Sequence, residues 1–348
     1  MRISVLLRGA GLVVTLAAAV IVSTLYSFNH FRAYESRFDG RCEPVAGVDG
    51  AEDLQLAPSL GKVFLSSLDP RKSASTRGEI LAISVSDPLA ADNWRDRTAG
   101  QPAKFRPLGV SYFEDGDLRR LFVVNDAGKS VEIFDVVESG DLEHVETISE
   151  RRLTSPNAIV AVGPRSFYVS NDVASGRDSL LGRLQFVVRI ASGEIFYFEG
   201  GTMRSAATGL RFANGVAVSA DGKQFFVAET AGQALAIFDR DPQTGVLTFA
   251  KSVAVDTAID NINLAEDGAL WIAGTPKPLS IPGFQHDPSA RLPSIIYRYE
   301  PGSGALNTVM IDDGAEISAA TAAAPAGDKL FVGALLENKY LICDLPTR

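Results

Sequence analysis

An all-β, six-bladed β-propeller is the fold this sequence predicts, and two observations carry the prediction. The first is a recurring apolar strand: VFLSS from Val63, LFVVN from Leu121, FYVSN from Phe167, FFVAE from Phe225, LWIAG from Leu270 and LFVGA from Leu330. The starts lie 58, 46, 58, 45 and 60 residues apart, with Gly, Pro, Asn and Asp between them. Six similar units of short strands at that period are the signature of propeller blades. The second observation is the strand and tight turn that precede a repeat strand. SPNAIVAVGPRSFYVSND, at 155–172, shows it best, with a Gly-Pro turn between two apolar runs. A β-sandwich is the alternative, but it does not require six recurring units.

Polar residues stand at matched distances before these strands. Glu52 lies 11 residues before Val63, Asn157 lies 10 before Phe167, Asn214 lies 11 before Phe225 and Asp260 lies 10 before Leu270. Equivalent positions of different blades form a ring around the central channel, so these side chains and the adjoining Asn261 converge on the axis. Two carboxylates and three neutral carboxamides make an oxygen-only donor set of charge −2. That set suits a hard divalent cation, and a flexible ring spread over several blades favours Ca²⁺ over Mg²⁺. The plainer alternative is that each Asn or Asp caps a turn.

The stretches GAEDLQL (50–56), FRPLGVSYF (105–113), PNAIVAVGPRSFYVSND (156–172), FANGVAVSADGKQFFVAE (212–229), IDNINLAEDGALWIAG (259–274) and KLFVGALLENKYLICDL (329–345) carry a resemblance. On them the chain resembles the serum paraoxonase/arylesterase family and, more distantly, gluconolactonases and other calcium-dependent six-bladed propellers. The resemblance runs from Cys42 almost to the C-terminus. It implies a six-bladed propeller with Ca²⁺ in its channel and hydrolysis of lactones or aryl esters.

Taken in order, the chain divides into an anchor (1–31), a connector (32–41) and the propeller (42–348). Arg2 and Arg8 precede an almost wholly apolar run from Gly9 to Phe28. As a helix that run is about 30 Å long, enough to cross a bilayer core. The basic flank keeps the N-terminus inside and exports the rest. A retained membrane helix is therefore expected, a cleaved signal peptide being the rival. Cys42 and Cys343 are the chain's two cysteines and bracket the propeller. In an exported protein such a pair reads as a disulfide between first and last blade, two unpaired thiols being the alternative. The resemblance implies the same bridge. The formal net charge is −9 and no basic cluster occurs, which argues against a nucleic-acid partner. P-loop, GxSxG, HExxH and CxxC motifs are all missing.

The chain departs from the family where acid–base chemistry is concerned. The resemblance implies a histidine dyad beside the metal, yet the matching positions hold Leu108 and, at a shortened loop, Asp126. His30, His144 and His286 match neither position and read as surface residues. A carboxylate base is therefore expected, Asp260 first and Asp126 second. The family's second, structural calcium would use Asp53 and the carbonyl near Val110, but its third ligand position is Ala158, which cannot ligate. Asp172, after Asn171, is placed either behind the metal ligands or in a turn. The Pro-rich stretch 274–283 is either a roof over the site or a plain connector. The function expected is a calcium-dependent hydrolase of small lactones or aryl esters on an exported, membrane-anchored propeller. The alternative is a calcium-stabilised propeller that binds a ligand or protein without such catalysis.

Overall fold

The computed structural model describes residues 15, 18–287 and 289–346. Each repeat strand lies second in a small antiparallel sheet, and six such sheets ring one axis. The entering strand is β1 (Arg41–Ala46). Blade 1 is β2 (Ala51–Ala57), β3 (Lys62–Ser67) and β4 (Glu79–Ser84). Blade 2 is β5 (Pro107–Asp115), β6 (Leu118–Asn125), β7 (Ser130–Val136) and β8 (Leu142–Ser149). Blade 3 is β9 (Pro156–Gly163), β10 (Ser166–Asn171), β11 (Gly193–Glu199) and β12 (Thr202–Leu210), with helix α1 (Leu180–Val187) inserted after β10. Blade 4 is β13 (Ala213–Val218), β14 (Gln224–Glu229), β15 (Ala234–Arg240) and β16 (Leu247–Ala254). Blade 5 is β17 (Ala258–Leu264), β18 (Leu270–Thr275), β19 (Ser294–Glu300) and β20 (Ala305–Asp312), with α2 (Ile281–His286) between β18 and β19. Blade 6 is β21 (Ala320–Ala326), β22 (Lys329–Ala334) and β23 (Lys339–Asp344), completed at its outer edge by β1.

Among the described residues six cores lie one between each pair of neighbouring blades, and a smaller seventh gathers Phe284, Leu292, Ala319 and Leu336. Phe122 and Ile133 of blade 2 pack on Phe167 and Phe196 of blade 3; Phe226 and Ile237 of blade 4 pack on Ile272 and Tyr299 of blade 5. Ring pairs cross these seams, Phe122–Phe167 at 5.8 Å and Tyr168–Phe225 at 4.7 Å between centroids. A second strand is covered on both faces, which explains its nearly unbroken apolar run. Outer strands such as β16 leave most residues in water.

Blade 6 closes the ring with the two ends of the propeller. In the β1–β23 pairing Cys42 stands opposite Cys343, and the two are joined in a disulfide across 301 residues of sequence. The predicted bridge is present. Of the predicted anchor, residues 1–14, 16 and 17 lie outside the described residues. Among the described residues no helix is long and apolar enough to cross a membrane. What is described is helical over 18–27 and then docks on the propeller. Phe28 is fully buried, stacked on Phe186 of α1 at 5.7 Å, with the Arg189 guanidinium 4.2 Å from its ring. Asn29 donates to Asp256 Oδ1 at 2.9 Å.

Removing the disulfide releases a closed loop of some 300 residues, so Cys343→Ser should lower stability by about 2–5 kcal/mol. Denaturant midpoints of the variant and of reduced wild-type protein measure this. Equal midpoints for reduced and oxidised protein would show that strand pairing alone closes the ring.

Candidate metal centre

The inner strand of every blade breaks register with its neighbour at one level of the channel. In β2, Glu52 and Asp53 together face the single Ser66, between the pairs Ala51–Ser67 and Leu54–Leu65. Leu108 and Gly109 do the same in β5, Asn157 and Ala158 in β9, Asn214 and Gly215 in β13, and Asp260 and Asn261 in β17. In β21 the extra residue is Thr321. A bulge of this kind kinks the strand and re-aims a side chain that would otherwise enter a blade seam. The four ring positions predicted from spacing and the adjoining Asn261 are therefore bulge residues. Two glycines permit the crowding. A Cβ on Gly109 would lie 2.5 Å from Ala158 Cα, and one on Gly215 would lie 2.3 Å from the Asp260 carbonyl oxygen.

The predicted ligands are brought together in one hydrogen-bonded ring. Asn261 Nδ2 donates to Glu52 Oε1 at 3.4 Å and to the Glu52 carbonyl at 3.1 Å. Asn214 Nδ2 donates to Asp260 Oδ1 at 2.5 Å and to Thr230 Oγ1 at 3.1 Å. Asn157 Nδ2 donates to Asp172 Oδ2 at 3.4 Å. Each amide nitrogen is thus committed to a neighbour, which turns each amide oxygen the other way. Asn157 Oδ1, Asn214 Oδ1, Asn261 Oδ1 and Glu52 Oε2 are all buried without a hydrogen-bond partner. A buried acceptor left unpaired costs about 1–3 kcal/mol. Four on one ring fit a hard cation, which needs oxygens and no protons.

Burial sets the electrostatics. It pushes Glu52 well above the ordinary carboxylate range, helped by repulsion from Asp260 and Asp53. Burial likewise raises Asp260 to about 7, against the hydrogen bond from Asn214. Such packing of acids is unfavourable until protons or a cation balance it. Among the described residues no three or more His, Cys, Asp or Glu side chains gather at metal-holding spacing, because three of the five ring donors are carboxamides.

The remaining predicted residues fall apart from the ring or face it differently. Asp53 is raised to about 7 by burial, and its oxygens accept from the backbone N–H groups of Leu54 and Val110, each at 2.9 Å. Val110 so turns its amide, not its carbonyl, to Asp53. Asp126 is tied to Lys129 Nζ at 2.5 Å. Burial acts to raise it, but the Arg177 charge and the Lys129 contact prevail, and it sits below its usual range. His144 lies on the outermost strand of blade 2, where its Nε2 meets Glu132 Oε2 at 2.9 Å; His30 reaches Ser280, and His286 ends α2. Among the described residues none of the three histidines hydrogen-bonds to a ring residue. The Pro-rich stretch forms a short 3₁₀ turn, Pro278–Ser280, leading into α2.

Spacing missed Arg177. It lies in the irregular segment 172–179, where no repeat predicts a side chain, and its Nε stands 2.9 Å from Asp172 Oδ2. Asp172 is itself fully buried and is the carboxylate that holds the Asn157 amide. Below the ring, the channel widens into a cavity of about 610 Å³ that reaches Asp53, Val110, Ala158 and Asn261 from the opposite mouth.

Comparison with known proteins follows the same geometry. An arylesterase family model matches residues 49–345. Serum paraoxonase/arylesterase 1 of Homo sapiens is 30% identical over 344 residues, covering 91% of this chain and 95% of that protein. The Mus musculus protein of that name is 29% identical over 355 residues, covering 93% and 97%. Among solved structures, a gluconolactonase from Xanthomonas campestris superposes with a TM-score of 0.58 at 14% identity, covering 90% of this chain and 99% of that one. A calcium-binding regucalcin from Agrobacterium tumefaciens gives 0.51 at 14%, covering 89% and 96%. The likeness to these two is one of fold.

Two outcomes are expected. Asp260→Ala should weaken calcium binding by more than about tenfold, because charge count sets affinity in such sites; unchanged calorimetric titration would remove Asp260 from the ring. In chelator, stability should fall as pH rises from the ordinary Asp value of 3.8 towards 7, since the folded state holds the protons more tightly than the unfolded chain. Added calcium should abolish that fall, and denaturant midpoints across pH measure both.

Proposed function

This chain belongs to the arylesterase family, and from that premise we propose that it is a calcium-dependent hydrolase of lactones or aryl esters. The four unpaired buried oxygens of the ring carry the reading. Calcium would be held by Glu52, Asn157, Asn214, Asp260 and Asn261, and when bound it would supply a Lewis acid for an ester carbonyl. No second cation is proposed at Asp53, because backbone N–H groups already occupy its oxygens.

The base is a carboxylate. Asp260 is preferred, because a carboxylate that ligates the cation would also stand beside the attacking water. It would take a proton from water as the water oxygen bonds to the carbonyl carbon, and return it to the leaving oxygen as that C–O bond breaks. Asp126 ranks second, since Lys129 and Arg177 depress its basicity. The Cys42–Cys343 bridge supports an oxidising, exported location for the propeller. The N-terminal run of 9–28 supports retention at a membrane.

Hydrolysis of a panel of aryl esters and lactones tests the reading. Chelator should abolish turnover, and Asp260→Asn should reduce it by about 10²–10⁴-fold. Alanine at His30, His144 or His286 should change it less than about twofold. A severe loss in any histidine variant would overturn the carboxylate mechanism.

A further inference from the structure

Arg177 brings a positive charge to a ring otherwise made of acids and amides. Its Nε bridges Asp172 Oδ2 at 2.9 Å and Ser155 Oγ at 3.0 Å, and its Nη2 donates to the Pro156 carbonyl. Its backbone N–H also donates to Ser155 Oγ, at 3.1 Å. These contacts strap the segment 172–179 to the first residues of β9, one residue before Asn157. The guanidinium's third nitrogen, Nη1, has no hydrogen-bond partner among the described residues, and the side chain is 22% exposed where Asp172 is sealed. Its charge is felt by Glu52 on blade 1, Asp126 beyond β6 of blade 2 and Asp260 on blade 5. Only a group near the axis reaches all three.

The charges divide simply. Glu52 and Asp260 match a divalent cation, and Arg177 matches Asp172. The guanidinium is therefore not needed to neutralise the ligands, and a cation placed there disfavours a metal beside it. Its unspent N–H groups suit a carboxylate or oxyanion, which guanidinium binds with charge-assisted hydrogen bonds.

We infer that Arg177 is the residue of this site that binds the carboxylate of an acid product and the oxyanion that precedes it, through Nη1. The inference rests on the hydrolase reading for its ligand class. Carboxyl oxygen is held on one side by the arginine, whose position is fixed by Asp172, Ser155 and Pro156. Asp172 thereby has two tasks, holding Arg177 and holding the Asn157 amide.

Calorimetric titration of benzoate into the full chain in calcium-containing buffer tests it. Wild type should bind, and Arg177→Gln should weaken binding by about 10- to 100-fold, with Arg177→Lys recovering part. Calcium affinity in Arg177→Gln should be unchanged or tighter, because the site gains one negative charge; a merely structural arginine would lose calcium and benzoate together. Should unpaired Asp172 prevent folding, Arg177→Lys, which keeps a counter-charge beside it, makes the same comparison. Benzoate binding that is undetectable in wild type, or unchanged in either variant, overturns the assignment. The titration needs no turnover. A chain that binds benzoate through Arg177 and hydrolyses no ester upholds this inference and sinks the hydrolase reading.

Discussion

Everything at the centre of this molecule depends on the register break in its inner strands. A regular inner strand would send alternate side chains into the two flanking seams, where Phe, Ile and Val already fill the space. Two residues opposite one free a side chain from that alternation. Repeated on blade after blade, the break lets four of the six sheets contribute to one ring of donors. The partner strand then repairs the backbone. Ser66 Oγ accepts from the Asp53 amide, and Ser170 Oγ accepts from the Ala158 amide, so in these two bulges the freed N–H is met.

This also explains what was legible in the sequence. Second strands are covered on both faces, so their apolar runs stand out, and the hairpin before each has nearly constant length. The offset of 10 or 11 residues is the distance across that hairpin to the bulge, which is why Glu52, Asn157, Asn214 and Asp260 could be found by counting. Leu108 and Thr321 occupy the same level but lie 13 and 9 residues before their repeat strands. Leu108 was therefore marked only by the family resemblance, and Thr321 by nothing. Arg177 was illegible for another reason. It reaches the axis from an insertion between β10 and β11, and its role depends on side-chain reach rather than on strand period.

Amide orientation does the rest of the work of aiming the ring oxygens. A carboxamide offers a donor and an acceptor on opposite sides, so fixing one aims the other. Here acids do the fixing: Glu52 for Asn261, Asp260 for Asn214 and Asp172 for Asn157. The oxygens left over are therefore presented as a set rather than singly. A carboxylate-only ring would bring more charge, but every added acid would raise the repulsion that already lifts Glu52 and Asp260. Three amides keep the set at −2 while supplying five side chains.

The floor of the ring shows how this chain manages a buried acid without a cation. Asp53 sits in the same bulge as Glu52, yet both its oxygens are taken by N–H groups, one within its own strand and one from β5 of the next blade. Asp53 and Ala158 line the same cavity. Backbone donors can hold a carboxylate in place at fixed geometry, and they do so here against a burial that still raises it to about 7. Asp53 thereby joins blade 1 to blade 2 beneath the ring, and its neighbour Glu52 is left with one oxygen free to face the axis. One bulge thus divides its two acids between structure and chemistry, and the division follows from which backbone amides lie within reach.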